Sequence, residues 1–184
     1  MRRRWFPDAR KIRGRDAGVM DGSYGTRKVV IHTEGVDRGR NGRDGNAYDL
    51  AHYVADRNIG YHLTIDRAGR IAQLYPATVG SRAMLAGSWS PNRQGILAVQ
   101  VCFAGIADAG QLDDWPLIGW DRLMRWFDSW DIPRRSHVSF NHPTRSVDNW
   151  RKSGWVSHAH AGAGNDHTDG THAPIMRLLK RTGT

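Results

Sequence analysis

The sequence predicts an α/β fold, a single domain in which helices flank a central mixed β-sheet. Two short apolar runs, at residues 28–33 and 96–103, are typical of buried central strands. Residues 47–57 and 117–130 instead place apolar side chains at helical spacing. Because strands and helices interleave along the chain, a helix-flanked sheet is favoured over an all-helical or all-strand fold.

The first part of the chain contains a strand, a loop and a helix in that order. The strand at 28–33 carries His32 near its end. Glycines among charged residues at 35–46 are typical of a loop. Asn46 precedes the helical spacing of residues 47–57, and asparagine is a preferred N-cap, so we expect the helix to begin there.

Two alternating segments then predict a β-hairpin. Residues 60–66 and 70–75 alternate in period two, and residues 67–69 supply a turn between them. A second loop extends to about Gly95. The run at 96–103 that follows is nearly all apolar, as expected for a strand that is covered on both faces.

The C-terminal part begins with the helix predicted at 117–130. Residues 132–149 are polar and are expected to be irregular, whereas residues 154–158 resemble a last short strand. Residues 174–180 are expected to form a closing helix, with Pro174 at its start, where proline is tolerated.

Length and charge bound the class of protein. A chain of 184 residues fits one ordinary domain, and a formal charge of +9 implies attraction to a polyanion. We expect residues 1–27 to form a basic N-terminal segment and residues 28–184 to form a single globular domain. The segment could be an arm for nucleic acid or a solvated terminus. Its basic residues are Arg2, Arg3, Arg4, Arg10, Lys11, Arg13 and Arg15.

Cys102 is the single cysteine, so an internal disulfide and a cysteine-rich zinc ribbon are both excluded. Any metal would be held by histidines and carboxylates. The sequence also lacks an apolar stretch of about 18 residues and a hydrophobic leader. We therefore expect a protein made in the cytoplasm without a signal peptide.

Histidine and aspartate residues crowd the C-terminal part of the chain. A catalytic zinc commonly takes three protein ligands from imidazole nitrogen and carboxylate oxygen and leaves one position open. His32, one C-terminal histidine and one aspartate would supply such a set. A surface coincidence, with His32 as an ordinary core residue, remains the alternative. The crowded residues are His158, His160, Asp166, His167, Asp169 and His172.

The order of several short motifs resembles the type 2 N-acetylmuramoyl-L-alanine amidase family, which also includes the peptidoglycan recognition proteins. Amidase domains of actinobacteriophage endolysins are the most similar members. The resemblance covers about residues 28–172. Its motifs are, in order, Val-Val-Ile-His32-Thr, Gly60-Tyr61-His62-Leu-Thr-Ile-Asp-Arg-Ala-Gly69-Arg, Pro91-Asn92, Val-Gln-Val-Cys-Phe-Ala-Gly105, Ser157-His158 and Asn-Asp-His167-Thr-Asp169-Gly.

The resemblance implies a zinc enzyme that hydrolyses the amide bond between N-acetylmuramic acid and L-alanine in peptidoglycan. It implies that His32, His158 and Asp169 are the zinc ligands. His160 is an alternative to His158, because the terminal loop is one residue longer than in near relatives. Tyr61 would act beside the metal as a catalytic residue.

Further residues are implied with the same substrate. His167 lies two residues before Asp169, where a donor or cation would stabilise an oxyanion. Thr33, Glu34 and Asn92 are candidates for binding the peptide stem, which presents amides and carboxylates.

The chain departs from the family pattern at the catalytic strand. The family's glutamate, which acts as a general base in some relatives, falls on Cys102. The common Trp-His-Ala-Gly pattern appears as Met84-Leu-Ala-Gly87, and Asp169-Gly170 lacks the usual proline. The catalytic role is therefore expected to fall on Tyr61 and His167.

A phage endolysin would act on the cell wall after release, and its charge would hold it on anionic wall polymers. We expect a monomer with peptidoglycan as its substrate. A non-catalytic peptidoglycan-binding protein of the same fold is the main alternative. A basic nucleic-acid-binding protein is another, but it leaves the histidine cluster unexplained.

Overall fold

In the part of the chain that the structure describes, the five predicted strands and one further short strand form a single six-stranded sheet. The computed structural model describes residues 2–33, 45–84, 91–105, 115–116, 118–137 and 146–160. The strands are β1 (Arg10–Lys11), β2 (Arg27–Thr33), β3 (Leu63–Ile65), β4 (Ile71–Gln73), β5 (Leu97–Phe103) and β6 (Gly154–Ser157). They lie in the sheet in the order β1-β4-β3-β5-β2-β6. The helices are α1 (Ala47–Asp56), α2 (Trp120–Asp128) and α3 (Val147–Trp150).

The sheet is mixed, as expected. β3 and β4 pair antiparallel and form the predicted hairpin, whereas β2 pairs parallel with both β5 and β6. β2 and β5 occupy the interior of the sheet, and both are buried along most of their length. The predicted α/β class with a central mixed sheet is confirmed.

Strand alternation sends successive side chains of β2 to opposite faces of the sheet. Val29 and Ile31 belong to the large apolar core that includes Leu123 and Phe127 of α2. Each fully buried side chain of this kind stabilises the fold by about 1.5–3 kcal/mol relative to exposure. His32 therefore projects to the opposite face of the sheet.

The hairpin turn fixes α1 against that opposite face. Asn46 caps α1, because its side chain accepts the N–H of Tyr48 at 2.9 Å. Asp66 accepts the N–H of Ala47 at 3.0 Å, and Thr64 Oγ1 donates to the carbonyl of Ala47 at 2.7 Å. The start of α1 is thus bonded directly to the end of β3.

The basic N-terminal segment is packed onto the sheet and onto α2. Phe6 and Ile12 are buried, and β1 pairs with β4 at the edge of the sheet. The indole N–H of Trp126 donates to the carbonyl of Arg3 at 2.8 Å. The seven basic side chains of this segment are exposed, so their charge faces solvent.

Helix α2 and the region before β6 differ from expectation for local reasons. Helix α2 begins at Trp120 rather than 117, because Gly119 adopts a left-handed conformation with φ 78° that a helix cannot continue through. The region expected to be irregular ends in the short helix α3, which Ser146 caps by accepting the N–H of Asn149. The helix predicted at 174–180 lies outside the described residues.

A helix that spans a membrane needs about 18 or more mostly apolar residues, and none of the helices in the described ranges meets this requirement.

Candidate metal centre

Two of the predicted ligands meet where β2 and β6 end. Ile31 pairs with Ser157 across the two parallel strands; His32 is the next residue of β2, and His158 directly follows the last residue of β6. The two imidazole rings stack with centroids 5.1 Å apart and an interplanar angle of 14°. Both side chains are buried. The carboxyl edge of a parallel sheet is the usual place for a ligand site in such folds.

Tyr61 lies beside this pair. Its ring centroid is 4.9 Å from that of His32, and the rings are tilted by 53°. The preceding residue, Gly60, packs closely on Tyr75, since a Cβ there would lie 2.7 Å from the Tyr75 hydroxyl oxygen. The structure therefore brings three predicted site residues, His32, His158 and Tyr61, into one cluster.

A buried polar network lies behind His32. Its Nε2 is 2.5 Å from Oε1 of Gln100, whose amide nitrogen donates to Asn92 Oδ1 at 3.3 Å. Gln100 is fully buried in β5. Asn92 also accepts the N–H of Met84 at 3.1 Å and donates to the carbonyl of Met84 at 2.7 Å.

His62 holds β5 from the side away from β2. Its Nδ1 accepts the main-chain N–H of Gln100 at 3.0 Å, and its Nε2 lies 2.9 Å from the carbonyl of Val79. Burial lowers the pKa of His62 to about 4, against smaller opposing effects from Val79 and Asp16. His62 is therefore a neutral structural residue at ordinary pH.

Cys102 occupies the position where the resemblance implies a glutamate. It pairs with His32 across β2 and β5, so this position does adjoin the histidine pair. The residue is fully buried, and its thiol donates to the carbonyl of Phe103 at 3.5 Å. The position carries no carboxylate that could serve as a base.

His160 is engaged differently from His158. Its Nδ1 accepts the main-chain N–H of Ser157 at 3.1 Å and lies 2.9 Å from the hydroxyl oxygen of Ser157. In a neutral imidazole whose Nδ1 accepts a hydrogen bond, the proton resides on Nε2. His160 thus lacks a lone pair for a metal while this bond is formed.

The predicted substrate-binding residues do not all face the histidine pair. The polar atoms of Asn92 bond to Met84 and Gln100, and its side chain is 5% exposed. Thr33 follows His32 in β2, so strand alternation directs its side chain to the face that α2 covers. Their binding roles stay predictions.

Three further predicted residues, Glu34, His167 and Asp169, lie outside the described residues. Within the described ranges, no three His, Cys, Asp or Glu side chains converge as a metal site. Cys102 therefore does not complete a set with His32 and His158, and the expected third ligand stays Asp169.

Gln100 and His62 were not predicted as members of this site. The signal for Gln100 was present, since it is the one amide within the apolar run of β5. A buried amide in a central strand needs hydrogen-bond partners, and such partners often belong to a functional network. Which side chains would supply them depended on the pairing of the strands.

No protein-family model matches this chain. No curated protein matches it either.

Solved structures do match the fold. The chain is similar to the structure of PlyL, with a TM-score of 0.52, 13% identity and coverage of 95% of this chain and 91% of PlyL. It is similar to the Staphylococcus aureus hydrolase AmiA in complex with its ligand, with a TM-score of 0.52, 13% identity and coverage of 95% and 82%. A selenomethionine derivative of AmpD gives a TM-score of 0.51 with 15% identity and coverage of 96% and 97%.

This chain has the fold of these proteins. The match extends over nearly the whole chain, so it includes the sheet whose edge carries His32 and His158. At sequence identities of 13–15%, these matches show a shared fold and nothing further.

Proposed function

We propose that this chain is a zinc-dependent N-acetylmuramoyl-L-alanine amidase that hydrolyses peptidoglycan as a phage endolysin. The observation that carries the proposal is the buried, stacked pair of His32 and His158 at the carboxyl edge of the sheet. The fold is compatible with it, because AmiA, one of the solved structures that share this fold, is a hydrolase. The order of the sequence motifs supports the same activity.

The donor set fits zinc. His32 and His158 present two imidazoles at the ends of adjacent parallel strands, and Asp169, later in the chain, would add a carboxylate. Two imidazole nitrogens, one carboxylate oxygen and an open position form a common catalytic zinc site.

His158 is a better ligand candidate than His160. The ring of His158 stacks on His32, whereas Nδ1 of His160 accepts the main-chain N–H of Ser157. Ligation by His160 would require this buried hydrogen bond to break.

Zinc in such a site polarises the scissile carbonyl and makes a nucleophile from water near neutral pH. The residues of the chain would do the rest. The Tyr61 hydroxyl, on a ring adjacent to His32, would donate a hydrogen bond to the oxygen on which negative charge develops. His167 would stabilise the same charge. With a thiol at Cys102, the proton for the departing alanine nitrogen would come from Tyr61, His167 or water.

The remaining parts of the proposal concern the substrate and its setting. Thr33, Glu34 and Asn92 stay candidates for contact with the peptide stem, although strand alternation directs Thr33 to the α2 face and Asn92 is bonded to Met84 and Gln100. The net charge of +9 would retain a monomeric enzyme on anionic wall polymers after its release.

The test is to incubate the purified protein with peptidoglycan, with and without a chelator, and to identify the new chain ends. We expect free lactyl groups paired with new L-alanine amino termini, and loss of both when zinc is removed. New reducing sugars, or full activity in zinc-free protein, would contradict the proposal.

The same experiment separates the non-catalytic alternative. A protein that sediments with peptidoglycan but releases no amino termini, with zinc added, would be a binding protein of this fold. His32→Asn is the matched variant, because removal of a zinc ligand should abolish cleavage while wall binding through surface charge continues.

A further inference from the structure

We infer that a relay of hydrogen bonds from the main chain of Met84, through Asn92 and Gln100, sets the tautomer of His32 so that its lone pair resides on Nδ1. The inference rests on the proposed function, since it assigns the nitrogen with which His32 would bind the metal. Gln100 and Asn92 are then positioning residues.

The relay begins at two main-chain atoms of Met84 whose hydrogen-bonding roles cannot change. The main-chain nitrogen of Met84 can only donate, and its carbonyl can only accept. Met84 N donates to Asn92 Oδ1 at 3.1 Å, and Asn92 Nδ2 donates to Met84 O at 2.7 Å. If the Asn92 amide were rotated by half a turn, its NH₂ group would face the N–H of Met84 and its oxygen would face the carbonyl of Met84. Both hydrogen bonds would then be lost. Its orientation is therefore fixed by Met84.

The second step transfers this orientation to Gln100. With Oδ1 of Asn92 facing it at 3.3 Å, the Gln100 side chain must present its NH₂ group. Its carbonyl oxygen Oε1 then faces His32. The side chain is fully buried, so water cannot substitute for either partner without entering the core.

The third step fixes the ring. Nε2 of His32 lies 2.5 Å from Gln100 Oε1, an atom that can only accept. Nε2 must therefore carry the proton, which leaves the lone pair of the neutral imidazole on Nδ1.

His62 holds the relay in place from the main chain. Its Nδ1 accepts the N–H of Gln100, a bond that only the neutral Nε2–H tautomer of His62 can make while it also donates to Val79 O. The position of Gln100 in β5 is thus restrained independently of its side chain.

The tautomer of a ligating histidine matters because a metal takes only a nitrogen without a proton. Partners that hold the other ring nitrogen typically contribute about 10- to 100-fold in metal affinity. The relay also gives Asn92 a second role, distinct from contact with the peptide stem.

The test has two readouts. The first is a long-range ¹H–¹⁵N spectrum of the full chain with labelled histidine, recorded without metal at about pH 8, where an ordinary imidazole is neutral. His32, assigned by its loss in His32→Asn, should show the Nε2–H tautomer. The second is the zinc Kd by titration against a competing chelator.

Gln100→Met is the decisive variant, because methionine has a similar volume but its thioether is only a weak acceptor for the imidazole N–H. It should shift His32 toward a mixture of tautomers and weaken zinc binding by about 10- to 100-fold. Gln73→Met is its matched control: Gln73 is equally buried in β4 but bonds to Phe6, Arg4 and Tyr75. The control should lose stability and keep the zinc Kd.

An Nδ1–H tautomer of His32 in the unaltered protein, or an unchanged zinc Kd in Gln100→Met, overturns the relay. Should Gln100→Met not fold, Gln100→Glu retains an acceptor for His32, and an Nδ1–H tautomer in that variant also overturns it. A chain that binds no zinc overturns the proposed function instead, while the metal-free spectrum still decides whether the relay sets the tautomer.

Discussion

Cys102 lies next to His32 across two central strands, at the position where a glutamate base was implied. If it only fills space, Cys102→Ala should leave kcat/KM for peptidoglycan cleavage nearly unchanged and should lower the free energy of unfolding by about 1 kcal/mol. Urea unfolding and the amino-terminus assay measure the two quantities. A tenfold or greater fall in kcat/KM, on the scale of about 1.4 kcal/mol, would instead give the thiol a catalytic part.

Tyr61 is the described residue whose proposed role depends on one hydroxyl group. Tyr61→Phe should lower kcat by about 100-fold, as expected when an oxyanion donor is removed, and should leave zinc affinity unchanged. Tyr53→Phe is the control, because Tyr53 is a half-buried tyrosine on α1 whose ring contacts Arg57. Equal losses in both variants would indicate a general packing effect.

At the scale of elements, the turn after β3 does more than reverse the chain. The buried Asp66 accepts hydrogen bonds from Ala47 N, Ala68 N, Arg70 N and Arg70 Nε at 2.7–3.1 Å. It therefore joins the hairpin to the start of α1, and α1 covers the face of the sheet that carries His32.

Asp66→Ala should lower the free energy of unfolding by about 3 kcal/mol, because it leaves buried donors unsatisfied and separates α1 from the hairpin. Asp56→Ala, at the exposed end of α1, should change it by no more than about 0.5 kcal/mol. Denaturant unfolding compares the two. Similar losses of free energy in the two variants would mean that Asp66 contributes only its negative charge and not its hydrogen bonds.

Lys28 links distant parts of the whole molecule, since its Nζ donates to the carbonyl of Trp150 and lies 4.4 Å from that ring. Burial lowers the pKa of Lys28 from 10.5 to about 7, against an opposing effect of Asp21. At pH values between these two pKa values, Lys28 keeps its proton in the unfolded chain but releases it in the folded protein. Folding stability from this group therefore rises with pH in that window.

Lys28→Met removes this dependence. The free energy of unfolding of the unaltered protein should rise relative to that of the variant by up to about 1.4 kcal/mol per pH unit above pH 7. Thermal or urea unfolding between about pH 7.5 and 9.5 measures the difference. Because the two proteins share every other titratable group, subtracting one free energy of unfolding from the other removes the contribution of those groups. A constant difference would show that Lys28 stays charged in the fold.

The net charge of +9 is a property of the whole molecule and not of one residue or element. Activity on intact cell walls should fall as salt rises from about 0.05 to 0.5 M, because screening shortens the range of attraction to wall polymers. Cleavage of a soluble muropeptide without such polymers is the control and should change little. An equal fall on both substrates would locate the salt effect at the catalytic cluster.

Much of the fold was determined by local sequence. β2 and β5 form where short apolar runs predicted strands, the hairpin alternates in period two, and Asn46 caps α1 as predicted. These features depend on near neighbours, so they can be read without knowledge of the tertiary structure. The two-residue strand β1 could not be, because exposed Arg10 and Lys11 acquire strand structure only by pairing with β4.

The sequence by itself nominated His32, His158 and Tyr61, because the order of motifs is a property of the chain. Only the tertiary structure decided which of them meet, since His32 and His158 are adjacent through the register of β2 with β6. It also showed the contacts of Gln100 with His32 and Asn92, which come from strand alternation and the packing of loops onto one face. Contacts between residues far apart in the chain follow from how strands pair, and no local pattern specifies that pairing.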